Sequence, residues 1–196
     1  MNSNLYTFLY GKESFNHKLF VLINHASNSA FDVLMPVFTY PGDSWRVYPY
    51  LALLVAVFLV KREYMPFRYI VVYCIAAFSC ILLLEWLKDW LHVPRPASAI
   101  GVDYVRVLGE LKLKNSLPSG HTTFSFMTAY VLSYKRSRAW MMALFIFAFL
   151  VAYSRMYVGA HYPIDIVVSS ILGTAIGFLA WSGYEKLTIR TKRLGG

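Results

Sequence analysis

The chain reads as apolar runs separated by short polar gaps. Charge-free stretches cover residues 47–60, 69–84, 119–134, 139–154 and 166–184, with His121 inside the third. Extended by a few residues, most reach the ~20 that a helix needs to cross a hydrocarbon core. A helical bundle in water would need a polar face on most helices, and these runs have none. Residues 16–40 give a weaker signal, because Asn24-His25-Ala26-Ser27-Asn28-Ser29 interrupts two apolar patches. The pattern predicts an amphipathic segment over 1–28, then a first span from about Ser29 to Tyr40, ended by a turn at Pro41-Gly42-Asp43. The polar stretch 1–15 lacks the basic start and apolar core of a cleavable signal peptide. The expected fold class is all-α: an integral-membrane bundle of about six transmembrane helices. It forms one domain over 1–196, with the bundle at 29–184 and a basic tail at 185–196.

Composition sharpens this picture. Hydrophobic residues make up 58% of the chain and charged residues 15%, against roughly 25% charged in a soluble domain. A mean hydropathy of +0.48 argues against a water-soluble globule and excludes disorder. The 15 tyrosines and five tryptophans suit a chain with two membrane–water interfaces. A net charge of +9 is no nucleic-acid signature here, since the basic residues fall in gaps between apolar runs rather than on one polar face. Cys74 and Cys80, inside one run, fit neither a disulfide framework nor a CxxC site; they read as small apolar fillers.

The same charges orient the spans. Lys61, Arg62 and Arg68 flank one connection; Lys135, Arg136 and Arg138 fill a second; Lys186, Arg190, Lys192 and Arg193 lie in the tail. The positive-inside tendency places these three segments in the cytoplasm. Residues 91–118 and 155–164 then face outward, as periplasm or exterior, and six spans leave both termini inside.

The outward segments carry the candidate chemistry. Lys88 and Arg95-Pro96 open the first, Pro118-Ser119-Gly120-His121 closes it, and the second holds Ser154-Arg155, His161 and Asp165. Charged groups in or beside a membrane are costly, so a cluster of them marks a functional site. Lys88, Arg95 and Arg155 are donors suited to phosphate. Ser119 suits a helix N-cap, which would aim the N–H groups of Gly120, His121 and Thr122 outward at an anion. A neutral His161 can attack phosphorus if its other nitrogen is held as a donor, and Asp165, four residues on, can accept that bond. Pro163 suits the first turn of the next helix. His121 remains as a general acid.

Taken singly, these residues have plainer readings. Lys88 could be an ion-paired interfacial lysine, Arg95 a headgroup contact, Ser119 a helix cap, and His161 with Asp165 a structural pair or half a metal site. A metal would need a third ligand. His121 is available, but three cations beside it would repel a divalent ion. No metal and no cofactor are expected.

The spacings K-x6-RP, PSGH and SR-x5-H-x3-D resemble the type 2 phosphatidic acid phosphatase superfamily, which is related to the vanadium haloperoxidases. All three blocks are intact and in order between Lys88 and Asp165. The resemblance implies a membrane phosphatase acting without metal through a phosphohistidine. It makes His161 the nucleophile, Asp165 its orienter and His121 the acid, with Lys88, Arg95, Ser119, Gly120 and Arg155 holding the phosphoryl oxygens. A lipid phosphate or diphosphate could enter from the bilayer. The candidates it implies are lipid A 1-phosphate, undecaprenyl diphosphate, phosphatidylglycerophosphate and phosphatidic acid. A bacterial inner membrane is the expected location; oligomeric state is left open. The alternatives are a lipid-to-lipid phosphotransferase with the same intermediate, a transporter, which would carry its charges near mid-bilayer, and a soluble haloperoxidase, which the apolar runs oppose.

Overall fold

The structure is a computed structural model that describes residues 3–40 and 47–194. The turn expected at residues 41–43 lies outside the described residues. Among those described there are nine helices and no strands. They are α1 (Ser3–Tyr10), α2 (Phe15–His25), α3 (Ser29–Thr39), α4 (Val47–Val60), α5 (Phe67–Leu91), α6 (Pro96–Ile100), α7 (Gly120–Ser133), α8 (Arg138–Tyr157) and α9 (Pro163–Leu194).

Local chemistry fixes the ends. Side-chain caps start four helices: Ser14 before α2, Asn28 before α3, Ser119 before α7 and Ser137 before α8. Each lends an oxygen to a backbone N–H that the first turn leaves without a helical partner. At the far end of α5, His92 takes a left-handed conformation with φ 49° and stops the helix. The stretch expected as a basic tail from 185 continues α9 without a break to Leu194.

The fold is an all-α integral-membrane bundle. Among the described residues, three segments are long and apolar enough to cross a membrane: Phe67–Ile100, Arg138–Tyr157 and Pro163–Thr191. α3, α4 and α7 have 11, 14 and 14 residues, so at 1.5 Å per residue they reach only about 16–21 Å. α7 nonetheless forms the axis of the bundle, packed on α5, α8 and α9. Its start explains its length. Ser119 is fully buried, so α7 begins inside the protein, and irregular backbone is tolerated at membrane depth when protein covers it.

The core lies between α5, α7 and α9, where Tyr69, Tyr73, Phe124, Met127, Val131 and Trp181 interlock. α9 meets α7 closely: a Cβ at Gly173 would stand 2.2 Å from the Thr123 carbonyl oxygen, a contact only glycine permits. The Gly173-x3-Gly177 pair therefore serves packing inside the bundle. Large apolar side chains point outward instead, among them Val60, Phe78, Trp90, Phe149 and Ile171, as side chains meeting lipid should. Cys74 and Cys80 are free thiols.

α1 and α2 pack over one end of the bundle. Tyr10 and Phe20 join Val93, Ala97, Leu117 and Tyr162 in a second apolar cluster. That end also holds the polar constellation.

Candidate active site

Four helix ends converge there: the last turns of α5 and α8 and the first turns of α7 and α9. The loops 92–118 and 158–162 close the space between them. The structure brings all eight residues singled out from sequence to this end.

Lys88 sits in the last turn of α5, and its ammonium lies beside Gly120, 3.7 Å from where a Cβ would stand. Arg95 is buried, and its guanidinium is fixed by backbone carbonyls. Nε donates to Lys114 O at 2.8 Å and Nη1 to Ala160 O at 3.3 Å. The same Nη1 lies 3.5 Å from Nε2 of His161. Arg155, in the last turn of α8, donates from Nη1 to Thr39 Oγ1 at 2.8 Å. Arg95, Arg155 and His121 share the wall of one pocket of about 220 Å3, together with Thr39 and Lys112.

Ser119 caps α7, but with a different result from the one its position suggested. Its hydroxyl receives Thr122 Oγ1 at 3.1 Å and Thr122 N at 3.5 Å. The Thr122 N–H is thus turned to the cap rather than outward. Ser119 N is anchored on Ser169 Oγ of α9 at 2.7 Å.

His161 is 1% exposed, set behind the pocket wall by the turn after α8. Gly159 makes that turn at φ +82°, where a Cβ would also stand 2.6 Å from Arg106 O. Ala160 N and His161 N both donate back to Arg155 O, tying the imidazole to the arginine. Burial holds the His161 imidazole well below its ordinary range, and Arg95, Arg155 and Lys88 push the same way. The ring is therefore neutral at physiological pH.

Asp165 is fully buried in the first turn of α9. Its Oδ2 lies 3.7 Å from His161 Nδ1, too far for a direct hydrogen bond; Nδ1 has no hydrogen-bond partner among the described residues. The carboxylate is held by other donors. Tyr10 Oη donates to Oδ1 at 2.7 Å, while Ser116 Oγ at 2.6 Å and Tyr162 N at 3.0 Å donate to Oδ2.

Sequence reasoning missed Tyr10, Ser116 and Thr39. Tyr10 is 155 positions from the carboxylate it holds, and no spacing could reveal that. Ser116 stands two residues before Pro118, so a polar side chain beside the PSGH block was a visible but unused signal. A further network was also unread. Arg106 pairs with Asp32. Asn24 Nδ2 donates to the carbonyls of Arg106 at 2.8 Å and Tyr157 at 3.0 Å, and Tyr157 Oη to Asp32 at 2.6 Å. It fastens the loop 101–118 to α2, α3 and α8.

A pocket lined by Arg95, Lys112, His121 and Arg155 at one end of a membrane bundle suits an anionic group such as a phosphate on a lipid. The sequence profile of the PAP2 superfamily matches residues 67–189. The undecaprenyl-diphosphatase of Sulfolobus acidocaldarius is 31% identical over 182 residues, covering 90% of this chain and 84% of that protein. The crystal structure of Aquifex aeolicus LpxE matches with a TM-score of 0.74 at 32% identity, over 86% of this chain and 96% of its own. In fold alone, the transmembrane PAP2-type phosphatidylglycerolphosphate phosphatase of Bacillus subtilis also matches, with a TM-score of 0.68 at 23% identity over 86% and 82% of the two chains. The chain belongs to the PAP2 superfamily and is a membrane lipid phosphatase.

Proposed function

We propose that the chain removes the terminal phosphate of a lipid diphosphate of the undecaprenyl type, without metal, by way of a phosphohistidine at His161. The name and coverage of the Sulfolobus relative support the substrate class. One observation carries the chemistry: a buried, neutral imidazole with its Nε2 against the Arg95 guanidinium and a carboxylate on the side of its other nitrogen.

In this reading Lys88, Arg95 and Arg155, with the Ser119 hydroxyl and the Gly120 N–H, hold the non-bridging phosphoryl oxygens. The bound phosphate takes up the Arg95 donor now beside Nε2 and leaves that lone pair aimed at phosphorus. Nε2 attacks, an N–P bond forms and the P–O bond to the lipid monophosphate breaks. The substrate's negative charge offsets the three cations and favours a protonated His121, which gives its proton to the departing oxygen. As positive charge grows on the imidazole, Nδ1–H draws toward Asp165 and the 3.7 Å gap closes. Water, deprotonated by His121, then attacks the phosphohistidine, the N–P bond breaks and inorganic phosphate leaves. Three cations do the electrostatic work that a divalent ion would otherwise do.

The test is phosphate release from a panel of purified lipid phosphates and diphosphates with EDTA present. Undecaprenyl diphosphate should be turned over fastest, and wild type should carry acid-labile phosphate that His161→Ala lacks. If His161→Ala keeps more than about a tenth of the rate, only ~1.4 kcal/mol of barrier, the nucleophile is assigned wrongly. A requirement for Mg²⁺ would overturn the cationic account.

The pocket faces the periplasm or exterior in this proposal, with the C-terminus in the cytoplasm. The support is the basic clustering of Arg68, Lys135 and Arg136 at the bundle end opposite the pocket. With Cys74 and Cys80 replaced, a single cysteine at Ser98 should be labelled by an impermeant thiol reagent on spheroplasts, and one at Ser137 should not. The reverse pattern would invert the topology.

A further inference from the structure

The second cavity of the bundle lies at the end away from the phosphate cradle. Twenty residues of continuous helix separate Arg68 from Lys88 on α5, and twenty separate Asp165 from Glu185 on α9. At 1.5 Å per residue each interval is about 30 Å, the thickness of a hydrocarbon core. The two cavities therefore sit at opposite membrane faces. This one has a volume of about 310 Å3, between Arg68, Tyr69, Tyr134, Lys135, Trp181 and Glu185.

Its floor is aromatic and rigid. Tyr134 stacks on Trp181 with centroids 4.4 Å apart, and Tyr69 meets Trp181 edge-on at 4.9 Å. Trp181 Nε1 and Tyr69 Oη are both spent on backbone carbonyls, of Val131 and Tyr134. The floor thus offers ring surface rather than polar handles. Its rim is positive. Lys135 pairs with Glu185 at 2.5 Å, and Arg136 lies over the Tyr69 ring at 4.7 Å. Arg68 lies 5.8 Å from the Tyr69 centroid and is close enough to Glu185 to favour its charged form, with Lys135 the carboxylate's hydrogen-bonded partner. Two cations, Arg68 and Lys135, and one carboxylate, Glu185, line the cavity; Arg136 stands outside the lining and donates to Tyr64 O. Ile189, exposed in the cavity wall, would meet acyl chains.

We infer that this cavity is a binding site for the headgroup of an anionic phospholipid of the leaflet opposite the one that presents the substrate. A basic pocket between transmembrane helices at headgroup level is the arrangement that takes such lipids, and the aromatic floor seats the glycerol region at the interface. Arg68 supplies the planar fork for the phosphodiester, and Lys135 is shared between that phosphate and Glu185. The cavity's membrane position rests on the membrane-spanning fold; only the naming of its leaflet relative to the substrate rests on the proposed function.

The test uses the full chain reconstituted in vesicles with phosphatidylglycerol carrying a photoreactive group next to its headgroup. Cross-links should map to residues 181–189 and exceed those from a matched phosphatidylcholine probe. Arg68→Gln with Lys135→Gln should weaken the labelling about thirtyfold. Glu185→Gln, which removes the competing carboxylate, should strengthen it, so a misfolded double variant cannot by itself mimic support. Equal labelling by both lipids, labelling confined to residues 107–113 at the substrate pocket, or loss of labelling to millimolar inorganic phosphate would each overturn the proposal. Phosphate release on the same vesicles should be unchanged in all variants. A wild-type chain that labels both lipids equally while hydrolysis is intact therefore refutes this cavity's role alone.

Discussion

Tyr10→Phe tests whether the amino-terminal helix belongs to the catalytic centre. The tyrosine is 4% exposed, and its hydroxyl is the one donor to Asp165 Oδ1 among the described residues, at 2.7 Å. Oδ2 keeps Ser116 and Tyr162. Removing the hydroxyl leaves one oxygen of a buried carboxylate without a partner. A hydrogen bond to a charged group is worth about 1.5–3 kcal/mol, and the ring itself stays packed on Tyr162. Part of that loss appears as stability, a fall of several degrees in the thermal midpoint. The rest appears in kcat, because a carboxylate free to rotate stabilises the His161 imidazolium less well. About 1.4 kcal/mol of that stabilisation is about tenfold in rate. KM should hold within about twofold, since the phosphate cradle is untouched and only transition-state charge is affected. Tyr6→Phe is the control: it removes a hydroxyl from the same helix, and its ring stacks on Tyr10 at 5.3 Å without reaching Asp165. Steady-state kinetics and thermal melts of both variants decide the matter. If Tyr10→Phe matches wild type in kcat, or exceeds it because Asp165 becomes free to reach His161, the positioning role is refuted.

His121→Ala should cost about 10²–10⁴ in kcat/KM on a lipid monophosphate, whose leaving group is an alkoxide. It should cost clearly less on a diphosphate, whose leaving oxygen belongs to a phosphate; equal losses would deny His121 the role of acid. For His161, the charged form is opposed by burial and by Arg95, Arg155 and Lys88, so its folded pKa lies below the unfolded value of about 6.5. NMR of ¹⁵N-labelled histidine should find this ring neutral as pH falls through 6.5. The unfolded chain then binds the extra proton, so this group's contribution to stability is present above that pH and is lost as pH falls below it. A ring already charged at pH 6.5 would contradict the electrostatics described.

What the sequence made legible was whatever is periodic or local. Charge-free runs marked α4, α5, α7, α8 and α9, because lipid removes the need for a polar face and leaves long apolar stretches. The motif blocks survived as distance along helices and their adjoining turns. His161 and Asp165 are four positions apart, and Ser119 heads α7 because a hydroxyl before Gly120 is what an N-terminus uses. The lengths of α3 and α7 were harder to read. α7 starts under protein cover, with Ser119 fully buried and anchored on Ser169 of α9, so it need not span the bilayer, and no periodicity in the sequence marks that cover.

The Asp165 environment shows why the site was only half readable. A motif records which side chains do chemistry, and it is silent about what satisfies them once they are buried. A fully buried carboxylate needs several donors, and the motif supplies none: Tyr162 N is backbone, Ser116 lies outside the PSGH block, and Tyr10 comes from α1. The expected His161–Asp165 hydrogen bond followed from spacing alone, and spacing cannot show that three other donors already hold the carboxylate. The same four-residue interval could place Oδ2 at 2.8 Å or at 3.7 Å from Nδ1. Tyr10 and Ser116 fix where the carboxylate sits, and with it how far the proton-bearing nitrogen must move when the ring acquires charge. The amino-terminal segment, which read only as amphipathic, therefore bears directly on the environment of His161, through a bond that only the folded chain can make.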